Sequence, residues 1–186
     1  MELIDPRKLL AKIVNILERL GSKYMITGGM AVFVWGRPRF TADIDIEIQL
    51  EAGDIDVLAS ELMKISEFGY VDKDIMKEAF KKQGEFNFID GQSGIKVDFW
   101  VKDKKSLEAE GFNRRITKNI AGQKVYFISP EDLILRKLVW HKKSESSRHF
   151  EDAESVVKIS KIDKKYLKQF ATKLGISDEL NKLLKK

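Results

Sequence analysis

The chain has 186 residues, 43% hydrophobic and 34% charged, and carries 34 Lys and Arg against 29 Asp and Glu, a net charge of +5. The stretch Lys161–Lys186 alone holds eight lysines against Asp163, Asp178 and Glu179, so the excess lies there and residues 1–160 are balanced. This excludes a body built throughout as a basic nucleic-acid-binding surface. The lack of cysteine excludes disulfides, thiolate zinc sites and a cysteine nucleophile.

Two histidines, His141 and His149, leave little for a zinc site. No apolar run approaches the roughly 20 residues of a membrane span. The opening MELIDPRKLL lacks the basic-then-apolar layout of a signal peptide. A cytoplasmic location without membrane association is expected.

In chain order, Asp5 caps a first helix with Pro6 at its first position. Leu9, Leu10, Ile13, Val14, Leu17 and Leu20 share its apolar face, and Gly21 stops it. A short strand, Lys23–Thr27, leads through Gly28-Gly29 to an apolar helix over Met30–Trp35, and Gly36–Ala42 reads as a loop. Asp43–Leu50, DIDIEIQL, alternates cleanly: Ile44, Ile46, Ile48 and Leu50 on one face, Asp43, Asp45, Glu47 and Gln49 on the other.

Helices are expected over 54–68 and 73–82. Strands follow at Glu85–Ile89 and Ile95–Val101, joined by DGQSG, and then at Arg114–Ile120 and Lys124–Ile128 around Ala121-Gly122-Gln123. Ser129-Pro130-Glu131-Asp132 carries the marks of a helix start, and the pattern stays helical to Lys186 with breaks near 144–147, 162–163 and 175–177. The expected fold is α+β (mixed α/β). A mixed sheet flanked by helices forms a core over residues 1–128, and a helical C-terminal region over 129–186 packs on it.

Asp43 and Asp45 point the same way from one strand, with Cα atoms about 6.6 Å apart. In IKVDFWV, Lys96, Asp98 and Trp100 share one face. If that strand lies beside DIDIEIQL, Asp98 comes within reach of both aspartates. Three carboxylates without histidine or cysteine favour Mg²⁺ or Mn²⁺. Such ions can activate a hydroxyl and stabilise a leaving phosphate. An isolated Asp-x-Asp is more often the wet face of a strand. Strand–Gly-Gly–helix, however, also presents backbone N–H groups where phosphate binds well.

This order of features resembles the nucleotidyltransferase superfamily that includes DNA polymerase β and kanamycin nucleotidyltransferase. The stretch ITGGMAVFVWGRPRFTADIDIEI looks closest to minimal and abortive-infection-type nucleotidyltransferases. It is also similar to lincosamide and aminoglycoside nucleotidyltransferases in its GG…R…DxD layout. SPEDLILRKL followed by RHFED looks like the downstream signature of the abortive-infection branch, and the resemblance spans roughly Met25 to Asp152.

The resemblance implies transfer of a nucleoside monophosphate from an NTP to an acceptor hydroxyl, with release of pyrophosphate. Gly28 and Gly29 would hold the triphosphate, Asp43 and Asp45 the metals. Asp98 would bind the metal near the acceptor and help deprotonate its hydroxyl. The acceptor is left open among a small molecule, a protein hydroxyl and tRNA. Met30 stands where many members have serine, so one hydroxyl contact to phosphate is missing.

Several residues carry two readings. Arg37 and Arg39 either neutralise the triphosphate or form a solvated pair. Lys137 either reaches the triphosphate, sits exposed on its helix, or pairs with Asp152. Arg148 and Asp152, spaced i,i+4, suggest an intrahelical ion pair. Glu47 is a supporting acid or the solvated end of its strand. Thr41 orients Asp43 or only favours extended structure. Arg114, Arg115, Lys118 and Trp100 are candidate acceptor or nucleic-acid contacts, and His149 is read as a surface residue. Two rival functions remain: a non-catalytic antitoxin or regulatory partner of a toxin–antitoxin pair on the same fold, and an RNA-binding module using the Lys-rich tail.

Overall fold

The computed structural model describes residues 5–39, 41, 43–103 and 109–185; of the expected 36–42 loop, Phe40 and Ala42 lie outside this set. Helix α1 (Pro6–Arg19) starts where Asp5 accepts the Arg7 N–H at 3.0 Å, and it buries Leu9, Leu10, Ile13, Val14, Ile16 and Leu17. After it come β1 (Lys23–Ile26), α2 (Gly28–Trp35) and β2 (Asp43–Gln49). A 3-10 turn (Ala52–Asp54) leads into α3 (Ile55–Met63), β3 (Tyr70–Val71) and α4 (Lys73–Lys82). Then follow β4 (Glu85–Ile89), β5 (Lys96–Val101), α5 (Ala109–Asn113), β6 (Ile116–Ile120) and β7 (Gln123–Phe127). The chain continues through α6 (Pro130–Ser144), α7 (Ser147–Ile159), α8 (Lys164–Lys173) and α9 (Ser177–Leu184).

The strands form one seven-stranded mixed sheet in the order β3-β4-β5-β2-β1-β7-β6. Strand β2 runs antiparallel to β1 and parallel to β5. Alternation selects the buried face: Ile44, Ile46 and Ile48 from β2, Val97, Phe99 and Val101 from β5, Phe86 and Phe88 from β4. Phe86 and Phe99 are opposite in register and stack with ring centroids 4.8 Å apart. Burying each such side chain contributes about 1.5–3 kcal/mol, so this row resists any slip of register.

Several expected boundaries move. The helix over 54–68 is shorter because the chain turns at Ser66–Gly69, where the Ser66 hydroxyl accepts the Gly91 N–H at 3.0 Å. The two-residue β3 follows, too short to show alternation in sequence. Helix α2 begins on Gly28 rather than after the glycines. The β6–β7 turn is Ala121-Gly122 alone, with φ of 50° and 81°, a two-residue left-handed hairpin turn; Gln123 is already in the strand. The short α5 had no periodic signal.

The chain divides into two compact units: Met1–Thr27 with Thr41–Phe127, which holds the sheet, and Gly28–Phe40 with Ile128–Lys186. In the second unit, Ser129 caps α6 by accepting the Asp132 N–H at 3.1 Å. The acids of that first turn then anchor α8. Glu131 accepts the Asp163 N–H at 2.8 Å, and Asp132 accepts the Tyr166 hydroxyl at 2.7 Å. Among the described residues no helix is long and apolar enough to cross a membrane.

A Cβ at Gly91 would run into the main-chain carbonyl of Phe68, whereas one at Gly53 meets nothing within 4 Å. Gly91→Ala is expected to lower stability by about 2 kcal/mol, and Gly53→Ala to leave the urea midpoint close to wild type.

Candidate active site

Strand β2 delivers Asp43 and Asp45 to the face opposite its isoleucines, and both are half-buried. The parallel register with β5 sets Asp43 opposite Lys96 and Asp45 opposite Asp98. Neighbouring strands lie about 4.8 Å apart, so the expected adjacency of the three aspartates is present in the backbone. Thr27 at the end of β1 donates its N–H to the Asp45 carbonyl at 2.9 Å, which pins this end of β2. Thr41 hydrogen-bonds the Asp43 main-chain carbonyl at 3.1 Å, so it orients the strand entry rather than the carboxylate.

Sequence reasoning gave Lys96 no role. Its Nζ lies 2.9 Å from Asp98 Oδ2, and the Asp98 side chain is 16% exposed. The hydrogen bond to Asp98, with the charges of Asp98, Asp43 and Glu85, raises the Lys96 pKa against a smaller opposing effect of burial. The alternation in IKVDFWV already placed Lys96 beside Asp98; the pairing was the missing signal. Among the described residues no three His, Cys, Asp or Glu side chains are gathered as metal ligands. Asp43, Asp45 and Asp98 are oxygen donors of the kind a hard divalent cation takes, but their side chains are not gathered as a site for one. Lys96 pairs with Asp98 alone of the three aspartates.

The same sheet face continues through Trp100, half-buried, and then through Glu85, Asn87, Ile89 and Tyr70, all exposed. Glu47, one reading of which was a solvated strand end, is buried at 5% exposure. It lies between Met25 and Trp100 in register.

Gly28 takes φ of +57°, a left-handed value that any side chain would strain, and the first turn of α2 starts there. The opening N–H groups of a helix have no intrahelical partners and suit an anion. Met30, at the position of the missing serine, is 6% exposed and serves packing.

The second unit contains a buried ion-paired cluster. Asp152 on α7 is 4% exposed. It accepts Arg39 Nε at 2.8 Å on Oδ1 and Nη2 at 3.0 Å on Oδ2, and Lys137 Nζ lies 2.8 Å from Oδ2. Lys137 is itself 8% exposed, so the exposed-lysine reading is wrong. Asp152 pairs with Arg39 and Lys137 rather than Arg148, because α6 and the segment after α2 bring both cations to it. Burial pushes the Asp152 carboxyl up, but the hydrogen bonds and charges of Arg39 and Lys137 outweigh it and hold its pKa below the ordinary value.

Beside this cluster is a cavity of about 370 Å³ lined by Arg37, Arg39, Arg148, Glu151, Asp152 and Ser155. A larger dent, about 740 Å³, runs along α1 and α3 among paired charges and contains none of the expected site residues. His149 is half-buried against the Trp140 ring, and burial lowers its pKa. Arg115 is also committed. It donates to the Phe112 carbonyl at 2.8 Å and lies over the Tyr126 ring, so it anchors the chain ahead of β6 rather than projecting from the hairpin.

Comparison with solved structures shows that the chain has the nucleotidyltransferase fold. It is similar to an antigenic nucleotidyltransferase-like protein from Paracoccidioides brasiliensis, with 20% identity over 96% of this chain and 92% of that one, TM-score 0.56. It is similar to ANT(2″)-Ia in complex with adenylyl-2″-tobramycin, with 15% identity over 91% and 96%, TM-score 0.63. It is also similar to the lincomycin-bound lincosamide antibiotic adenylyltransferase LnuA, with 16% identity over 85% and 99%, TM-score 0.57. No family model and no curated protein sequence matches the chain.

Replacing Asp152 by alanine removes this carboxylate from the buried Lys137 ammonium and the half-buried Arg39 guanidinium and is expected to cost about 3 kcal/mol. A carboxyl whose folded pKa is depressed stabilises above its unfolded value, about 3.9, and loses that contribution as pH falls through the folded value. The gap in Tm between wild type and Asp152→Asn should therefore be full at pH 7 and narrow below about pH 4.

Proposed function

We propose that the chain is a metal-dependent nucleotidyltransferase that moves a nucleoside monophosphate from an NTP to an acceptor hydroxyl. The observation that carries this reading is the parallel register that sets Asp45 opposite Asp98, with Asp43 two residues earlier on the same face. The fold shared with adenylyltransferases supports it. Asp43, Asp45 and Asp98 are assigned to Mg²⁺ or Mn²⁺, which when bound supplies charge neutralisation at the phosphates.

The protein's own groups divide the remaining work. Asp98 takes the proton of the acceptor hydroxyl. The acceptor oxygen forms a bond to the α-phosphorus as the bond to the bridging oxygen breaks, and pyrophosphate leaves with that electron pair. Gly28 and Gly29 are assigned to the triphosphate, as are Arg37, Arg39 and Lys137. Asp152 fixes the orientation of the last two, which reduces the ordering cost of binding an anion. The acceptor is a small molecule such as an antibiotic, a protein hydroxyl or tRNA.

The test is transfer of label from α-labelled NTP, with Mg²⁺ or Mn²⁺, to RNA, to protein and to a panel of hydroxylated antibiotics. Wild type should transfer label, and Asp43→Ala or Asp45→Ala should lower the rate by about a thousandfold. Failure of wild type with every NTP and acceptor would favour a non-catalytic partner on this fold.

A further inference from the structure

The cavity of about 370 Å³ in the second unit is lined by three arginines, Arg37, Arg39 and Arg148, with Glu151, Asp152 and Ser155. Its walls are fixed. A Cβ at Gly36 would run into the Ser155 hydroxyl and Val156, so the segment carrying Arg37 and Arg39 lies directly against α7. The Ser160 hydroxyl donates to the Trp35 carbonyl at 2.6 Å, which ties the end of α2 to the end of α7. Arg39 and Lys137 already hold Asp152, so that carboxylate is neutralised. Arg37 and Arg148 are exposed, and among the described residues neither has an ion pair, not even with Glu151 one turn after Arg148. Guanidinium groups gathered around one space repel each other. A ligand with several phosphate oxygens relieves that repulsion and matches the planar fork of each guanidinium. His149 feels the same field: after burial, the charge of Lys137, then those of Arg148 and Arg39, lower its pKa against the opposing charge of Asp152.

We propose that Arg37 and Arg148 clamp the β- and γ-phosphates of the NTP in this cavity, the pair that leaves as pyrophosphate. This rests on the assignment of Arg37 and Arg39 to the triphosphate, and it adds Arg148, which had no ligand role. Arg39, held by Asp152, is the fixed floor of the site, and Arg37 and Arg148 are its two arms. The volume is that of a small-ligand pocket. The cations are the protein's own, so the clamp holds phosphate without a divalent ion. Its lining is charged and polar, so it selects phosphate charge rather than the base.

The test is calorimetric titration of the full chain with pyrophosphate, at fixed ionic strength and without divalent cations. Wild type should bind, and Arg148→Gln and Arg37→Gln should each weaken binding about five- to tenfold. Arg148→Lys keeps the charge but not the fork and should fall between wild type and Arg148→Gln. Lys168 is an exposed lysine of α8, and Lys168→Gln, the control for general charge, should stay within about twofold of wild type. Both arginines are exposed, so thermal melts of their variants should match wild type. ATP and CTP should displace pyrophosphate equally well, and an RNA oligomer with a 5′-hydroxyl end should not. Pyrophosphate binding that is absent from wild type, unchanged in either arginine variant, or lost equally in Lys168→Gln overturns the proposal, as does displacement by the RNA but not by ATP. If pyrophosphate binds as expected and no label is transferred from any NTP, the clamp stands and the transferase reading falls. Label transfer with unchanged pyrophosphate affinity in either arginine variant removes the clamp alone.

Discussion

Strand β2 is hydrogen-bonded to β1 on one side and to β5 on the other, antiparallel and parallel respectively. Its isoleucines have to meet the valines and phenylalanine of β5 on the buried face, because a one-residue slip would turn the whole row into the opposite layer. A two-residue slip would keep the faces but offset the Phe86–Phe99 stack's neighbours and leave Asp45 facing Lys96 or Trp100. The apolar face therefore fixes the register, and the register fixes which charged groups become neighbours on the other face. The carboxylate block is a by-product of packing that the hydrophobic row enforces.

On that face Lys96 lies 2.9 Å from Asp98. The second unit shows the mirror arrangement, two cations around one buried acid. Arg39 and Lys137 are held at Asp152, where breaking the set leaves uncompensated charge in a desolvated place. In both units a charged side chain is kept in position by an opposite charge from its own unit. Such pairing adds little net stability but orients its members.

The Lys-rich tail comes after all of these residues in sequence. Leu167, Ala171, Leu180 and Leu183 of α8 and α9 are buried, while the lysines of these helices are exposed. The acids at the start of α6 bind the start of α8 through Asp163 and Tyr166. The basic excess of this stretch thus lies in part on the exposed faces of α8 and α9.

The sequence by itself determined the alternation of β2 and β5, and hence that Asp43 and Asp45 share one face and that Lys96, Asp98 and Trp100 share another. It determined the caps at Asp5 and Ser129 and the breaks between the C-terminal helices, because these depend on residues within a few positions of each other. Only the tertiary structure decided that β5 lies beside β2 in the register that opposes Asp45 and Asp98. That choice comes from packing between segments more than 40 residues apart. It also decided that Lys96 holds Asp98, and that Asp152 binds Arg39, 113 residues away, instead of Arg148 one turn before it. A helical i,i+4 spacing permits an ion pair, but burial rewards the partners that can follow the acid out of water.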